Sequence, residues 1–167
     1  MSHARFPFAS ASAQAPRPLP ILARLLAGMF VAGLLAHAAH AAPFQWYKTS
    51  TGCSNASLCE IDFPAVAANR LATVTNVSCS ILIGTQTVEI LTAQFNVVNA
   101  ANDNVIVRDT VLSVLQGKNG LGSWFAINQE TQLAVRAGFR VQARIATDAI
   151  SSMSLQCKVG GDLAVIN

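Results

Sequence analysis

LATVTNVSCSILI, running from Leu71 to Ile83, is the stretch that decides the fold class. Its odd positions Leu71, Val77, Cys79, Ile81 and Ile83 are apolar, while Asn76, Ser78 and Ser80 between them are polar. Successive side chains of a strand point to opposite faces, so this alternation describes a strand with one face in a core and one in water. The pattern returns in SMSLQCKV, Ser152 to Val159. There Met153, Leu155, Cys157 and Val159 alternate with Ser152, Ser154, Gln156 and Lys158. Cys79 and Cys157 therefore both fall on the buried face of a strand.

Working outward, helical periodicity is nearly absent and short alternating runs dominate. The further strands expected are Val88–Val98, Val105–Leu115, Ser123–Ile127, Gln132–Val135, Phe139–Ala146 and Leu163–Ile166. Gly84–Gln86, Asn99–Asn104, Gly117–Gly122, Ala137–Gly138, Asp148–Ser152 and Gly160–Asp162 supply the breaks. Seven or eight short strands punctuated by regular turns predict an all-β chain folded as a single two-sheet sandwich. A jelly-roll-like arrangement is expected first and an immunoglobulin-like one second.

The N-terminal forty residues have a different character. Arg5, Arg17 and Arg24 precede an apolar run from Leu25 to Leu35, which is followed by small residues up to Ala41 and by Ala42-Pro43. A basic start, a short apolar stretch and an A-x-A site are the three parts of a secretory signal peptide. A helix over the run would reach only about half of a ~30 Å hydrocarbon core, too short for an anchor. The division expected is a signal-peptide helix within 1–41, an N-terminal loop region with a short disulfide loop over 42–70, and a β-sandwich core over 71–167. After cleavage no stable membrane span remains, and the protein is expected to be periplasmic or extracellular.

Cleavage also changes the chemistry that remains. The chain holds 11 Lys and Arg against 8 Asp and Glu, but three of the arginines leave with the signal, so the remainder is formally neutral. A neutral domain has no excess of cations to neutralise phosphates, which excludes a nucleic-acid partner. The three histidines, His3, His37 and His40, all precede Ala42. Ser-His-Asp and Cys-His catalysis and His-ligated zinc are excluded with them. No cofactor is implied, and the domain is read as non-enzymatic.

All four cysteines follow the signal. An even count in an exported chain reads as two disulfides. The shared burial of Cys79 and Cys157 pairs them, which leaves Cys53 and Cys59 to close a short loop.

Three segments carry a resemblance. Phe63 to Ser78 follows an F-x-x-V-x-A-x-x-x-x-x-I-x-x-V-S opening with Val74 in place of the Ile. Phe125 leads to Ala137-Gly-Phe-Arg-Val141, and Gly161-Asp-Leu-Ala-Val-Ile166 closes the chain. Together they are similar to a loose group of uncharacterised exported bacterial β-sandwich (jelly-roll-like) proteins. The resemblance implies a fold and an export route, and carries no activity or functional residue.

Sites for a ligand are sought among exposed aromatic and guanidinium groups. Trp46 and Tyr47 lie near the new N-terminus, and Trp124 follows a Gly-rich turn. Adjacent strand residues face opposite sides, so with Phe125 and Ile127 inward Trp124 faces out, where a ring can stack on a sugar. The alternative is that Trp124 covers an end of the sandwich and that Trp46 and Tyr47 pack on the Cys53–Cys59 loop. Arg140, Gln142 and Arg144 alternate with Phe139, Val141, Ala143 and Ile145, which aligns three polar groups on one face. Such a row grips a carboxylate or sulfate, or is a solvated face that discourages edge pairing.

The Ala100–Asn104 turn with Asp109 offers oxygens to calcium, although Asn and Asp are ordinary turn formers. Glu60, Asp62, Glu89 and Glu130 are the carboxylates available to a hydrolase, which needs two of them across a cleft. The function expected is a non-catalytic exported module that binds a glycan or an envelope protein. A pilin-like assembling subunit, with the Gly161–Asn167 tail as a strand partner, is the first alternative, and a small secreted hydrolase the second.

Overall fold

The computed structural model describes residues 41–166. The expected signal peptide lies outside the described residues, apart from its last position. Seven strands make up the fold, with no helix among the described residues: β1 (Ala42–Asp62), β2 (Arg70–Ile83), β3 (Ile90–Asn99), β4 (Val105–Val111), β5 (Val114–Asn119), β6 (Gly122–Arg136) and β7 (Phe139–Val165). Pairing links them into one curled antiparallel sheet in the order β4-β3-β7-β2-β6-β5, with β1 added along β7.

The 27-residue β7 organises everything else. β1 follows it from Ala42 opposite Leu163 to Asp62 opposite Gln142. On its other edge β7 meets two strands in succession. Residues 139–147 pair with β3, and residues 153–165 pair with β2. The sheet thus has two halves joined by a continuous β1–β7 ribbon, where two separate layers were expected. Its curl brings β4, at one end of the strand order, back towards β6. Thr131 donates a hydrogen bond to Asp109, and the Leu112 N–H donates to Gln129 Oε1 at 3.2 Å.

Several expected breaks are absent, for stated physical reasons. Met153–Val159 and Leu163–Val165 are one strand, because Gly160 and Gly161 are not turn residues, and the same strand runs back through the expected Asp148–Ser152 break to Phe139. A Cβ at Gly161 would lie 1.9 Å from the Thr73 carbonyl oxygen, and one at Gly160 would lie 2.9 Å from Asn76 Oδ1. These glycines let β2 approach β7 closely, which is a strand-interior use of glycine. Ser123–Ile127 and Gln132–Val135 likewise merge into β6. Val105–Leu115 does the reverse and divides at Leu112-Ser113, where the chain passes from the β4 edge to the β5 edge.

The expected loop over 42–70 is largely strand. In β1, Phe44 and Trp46 pack on the core, while Gln45, Tyr47 and Thr49 face out. Turn-forming residues hid this strand. The register slips around Cys53 and Ala56, and Asn55 takes a positive φ of 56°. These irregularities lie at and beside the segment closed by the Cys53–Cys59 disulfide.

Both disulfides have the expected pairing. Cys79 and Cys157 face each other directly across β2 and β7, with their Cα atoms 4.1 Å apart. The alternation of Leu71–Ile83 holds with one change of phase. A bulge at Thr75 puts the even residues Ala72 and Val74 inward before it, and Val77, Cys79, Ile81 and Ile83 inward after it. Leu71 consequently sits only half-buried.

A single core unites the two halves, with Phe95, Ile81, Ile145 and Leu155 among its largest fully buried side chains. Asn96 stands outside that core, on the face of β3 opposite to Phe95 and Val97. It is completely buried on β3 between Arg108 and Gln142, and neither its Oδ1 nor its Nδ2 finds a protein partner. An unpaired buried amide costs about 1–3 kcal/mol. Asn96→Leu, close in volume, is therefore expected to raise the thermal midpoint, with a gain of about 1 kcal/mol measured by denaturant unfolding. A loss of stability would mean that the amide is hydrogen-bonded in solution.

Candidate binding face

The outer surface differs sharply between the two halves of the sheet, and strand register explains why. On the half formed by β1, β3, β4 and the start of β7, the row Arg140, Gln142 and Arg144 does align on one face. Opposite it, register places the outward carboxylates of β1, with Glu60 beside Arg144 and Asp62 beside Gln142. Arg140 Nη2 donates to Asp103 Oδ1 at 2.6 Å and to Asp62 Oδ2 at 3.2 Å. Its Nε lies 2.9 Å from Asp62 Oδ1, off the N–H axis.

Gln142 Nε2 donates to Asp62 Oδ1 at 3.0 Å, and Arg144 Nε lies 3.3 Å from Glu60 Oε1. The hydrogen bond that Arg140 donates to Asp62, then the one to Asp103, hold its pKa above its already high ordinary value. Its charge therefore persists at every pH where proteins are handled. The row is neutralised from within, and an incoming anion would have to displace carboxylates already in place.

The turn oxygens are similarly engaged. Asn99 Oδ1 accepts from the Ala101 N–H, Asn102 Oδ1 from the Asn104 N–H, and Asp109 from Thr131. Glu130 stands on the outer face of β6 opposite Asn76, and the Glu89 N–H donates to Asp148 Oδ1.

The half built from β1, the end of β7, β2 and β6 carries a different surface. Cross-strand register lays out its outer rows. Tyr47, Lys158, Ser78 and Asn128 form one, and Thr49, Gln156, Ser80 and Ala126 the next. Ser154, Leu82 and Trp124 form the row beyond. All of these side chains reach solvent.

Trp124 is half-buried and walls an open depression of about 400 Å³ lined also by Ser80, Gln116, Lys118 and Asn119. The rim is held in place by backbone contacts, since Lys118 Nζ donates to the Gln86 carbonyl at 2.7 Å and Gln86 Nε2 to the Asn119 carbonyl at 2.6 Å. A second open groove of about 690 Å³ continues along β6 past Ala126 and Asn128 to Leu112 and Thr110.

Of the aromatic residues singled out from the sequence, Trp124 and Tyr47 thus share the outer face. Tyr47 is 62% exposed. Trp46 points the other way and packs on the core, its ring centroid 4.4 Å from that of Phe44. Gln116, Lys118 and Asn119 were not anticipated, because their stretch reads as the start of a turn. Ser80 was legible as an outward residue, and only its register opposite Ala126 places it beside the tryptophan.

Fold and site together define a small, disulfide-linked all-β domain with an open, weakly charged face and an aromatic-walled depression. Its two disulfides are consistent with an oxidising, extracellular or periplasmic location. No protein-family model matches the chain, and no curated protein is significantly similar to it.

Proposed function

We propose that this chain is exported, loses its signal peptide and acts outside the cytoplasm as a non-catalytic binding module. We read the two halves of its curled sheet as the layers of a jelly-roll-like sandwich. The observation that carries the function is the depression at Trp124. A half-buried indole on an outer sheet face, ringed by amide, hydroxyl and ammonium groups, suits recognition of a hydroxyl-rich ligand. Mature protein screened against a broad glycan array and by cross-linking in the cell envelope tests this. Saturable capture of a glycan or an envelope protein is expected, and silence in both would remove the reading. Trp124→Ala is expected to lower affinity for any captured glycan about tenfold, with the protein still folded and its unfolding midpoint lowered by only several degrees.

A second reading, an assembling subunit that accepts a strand, has its own observation. β4 and β5 end the strand order. Val107 and Leu115, which pair with the buried Val97 and Phe125, are nevertheless 42% and 47% exposed. A strand added at either end would pair a free edge and cover the exposed side chain beside it. The tail once expected as the donor is otherwise occupied. Leu163 is opposite Ala42 on one side and Ala72 on the other, within a strand paired on both edges. A domain that stays monomeric at high concentration and gives no envelope cross-links through cysteines placed on β4 would exclude this reading.

A further inference from the structure

We propose that the outer face of β1, β7, β2 and β6 is a strip for an extended, uncharged polysaccharide, gripped at two stacking points, Tyr47 and Trp124. This inference rests on the binding-module reading and specifies its ligand. Tyr47 lies on β1, and its row reaches β6 at Asn128, four residues from Trp124. Three interstrand steps of about 4.8 Å and four residues of about 3.4 Å set the two rings roughly 20 Å apart along a diagonal. That distance exceeds a monosaccharide and matches a chain of several rings.

The groups between the two rings fit such a chain. Gln156, Ser80, Ser78 and Asn128 present amides and hydroxyls at strand spacing, each able both to donate and to accept. Sugar hydroxyls have the same dual capacity. Charge selects the class of polymer. Across the four strands the rows from Trp124 to Glu130 hold one cation, Lys158, and one anion, Glu130, and the Lys118 ammonium at the Trp124 depression is turned to the Gln86 carbonyl. An anionic polymer finds no more than one unmatched cation here, and on the other outer face Arg140 and Arg144 are already paired with carboxylates. An open, four-strand face also encloses no small molecule, whereas it can lie along a polymer.

The test is affinity electrophoresis of the mature protein through gels containing hydroxyethylcellulose, soluble starch, xylan or galactomannan, with alginate and heparin as anionic comparisons. A size series of cello- and malto-oligosaccharides is then titrated by tryptophan fluorescence. Retardation is expected in at least one neutral polymer and in neither anionic one. Affinity should rise with chain length up to several rings, and Tyr47→Ala and Trp124→Ala should each weaken binding about tenfold. Both residues face out, so folding is checked independently by the unfolding midpoint. Binding unaffected by Tyr47→Ala and independent of chain length would overturn the strip while leaving a module that binds at Trp124. Retardation by alginate or heparin in preference would overturn the neutral class. Capture of an envelope protein with no neutral polymer bound would overturn the strip alone.

Discussion

Removing the Cys79–Cys157 bridge, by Cys79→Ala with Cys157→Ala, is expected to lower the unfolding free energy by about 4–5 kcal/mol. The bridge joins residues 78 apart in sequence, so it confines most of the unfolded chain in one loop. The chain-entropy cost of that loop is what the oxidised protein avoids on folding. In the native sheet the two cysteines are already opposite each other on neighbouring strands and buried at 5% and 0% exposure. Their Cβ atoms stay packed after substitution, so the loss comes mainly from the unfolded state.

For a domain of this size the thermal midpoint should fall by roughly 10–20 °C. Cys53–Cys59 makes the internal comparison. Its ends are only six residues apart, and its removal should cost about 2 kcal/mol. Equal losses for the two bridges in parallel denaturation experiments would contradict this ranking.

Gly122→Ala is expected to destabilise the domain by about 3–5 kcal/mol, enough to compromise folding of a marginally stable chain. Gly122 begins β6 with φ at 134°, a region that L side chains rarely adopt. A Cβ there would lie 1.9 Å from the Ile83 carbonyl oxygen and 2.9 Å from its carbon. Backbone is a stiff obstacle, and moving it pulls apart the Ile83–Ser123 pairing that joins β2 to β6. Gly117→Ala provides the control, since nothing lies within 4 Å of the added carbon and its φ is ordinary. That variant should unfold within about 0.5 kcal/mol of the parent. A Gly122→Ala protein of parental stability would show that residue 122 does not hold this positive-φ approach to Ile83 in solution.

The local character of each strand was legible because period-2 alternation needs no knowledge of partners. It identified Cys79 and Cys157 as inward, and with them the disulfide pattern. It also aligned Arg140, Gln142 and Arg144 on one face and turned Trp124 outward. It misjudged Leu71, since a bulge is an event between two strands and leaves no mark in one of them. It broke β7 at Gly160-Gly161, because glycine for a turn and glycine for close approach of a neighbour read identically. It lost β1 for a related reason, as the Ser and Asn residues near Cys53 sit at irregular places in a strand held by its neighbour.

The amino-acid sequence by itself determined that this is an all-β chain with an apolar face on each central strand, two disulfides and a formally neutral charge after Ala41. Those properties follow from side-chain order and composition alone. The tertiary structure decided which outward groups meet. Register sets Glu60 and Asp62 against the arginine row and closes it, and it sets Ser80 and Gln116 around Trp124 and leaves that side open. Alternation specifies the face a residue takes, whereas its neighbours on that face come from strands far away in the chain, and only pairing brings them together.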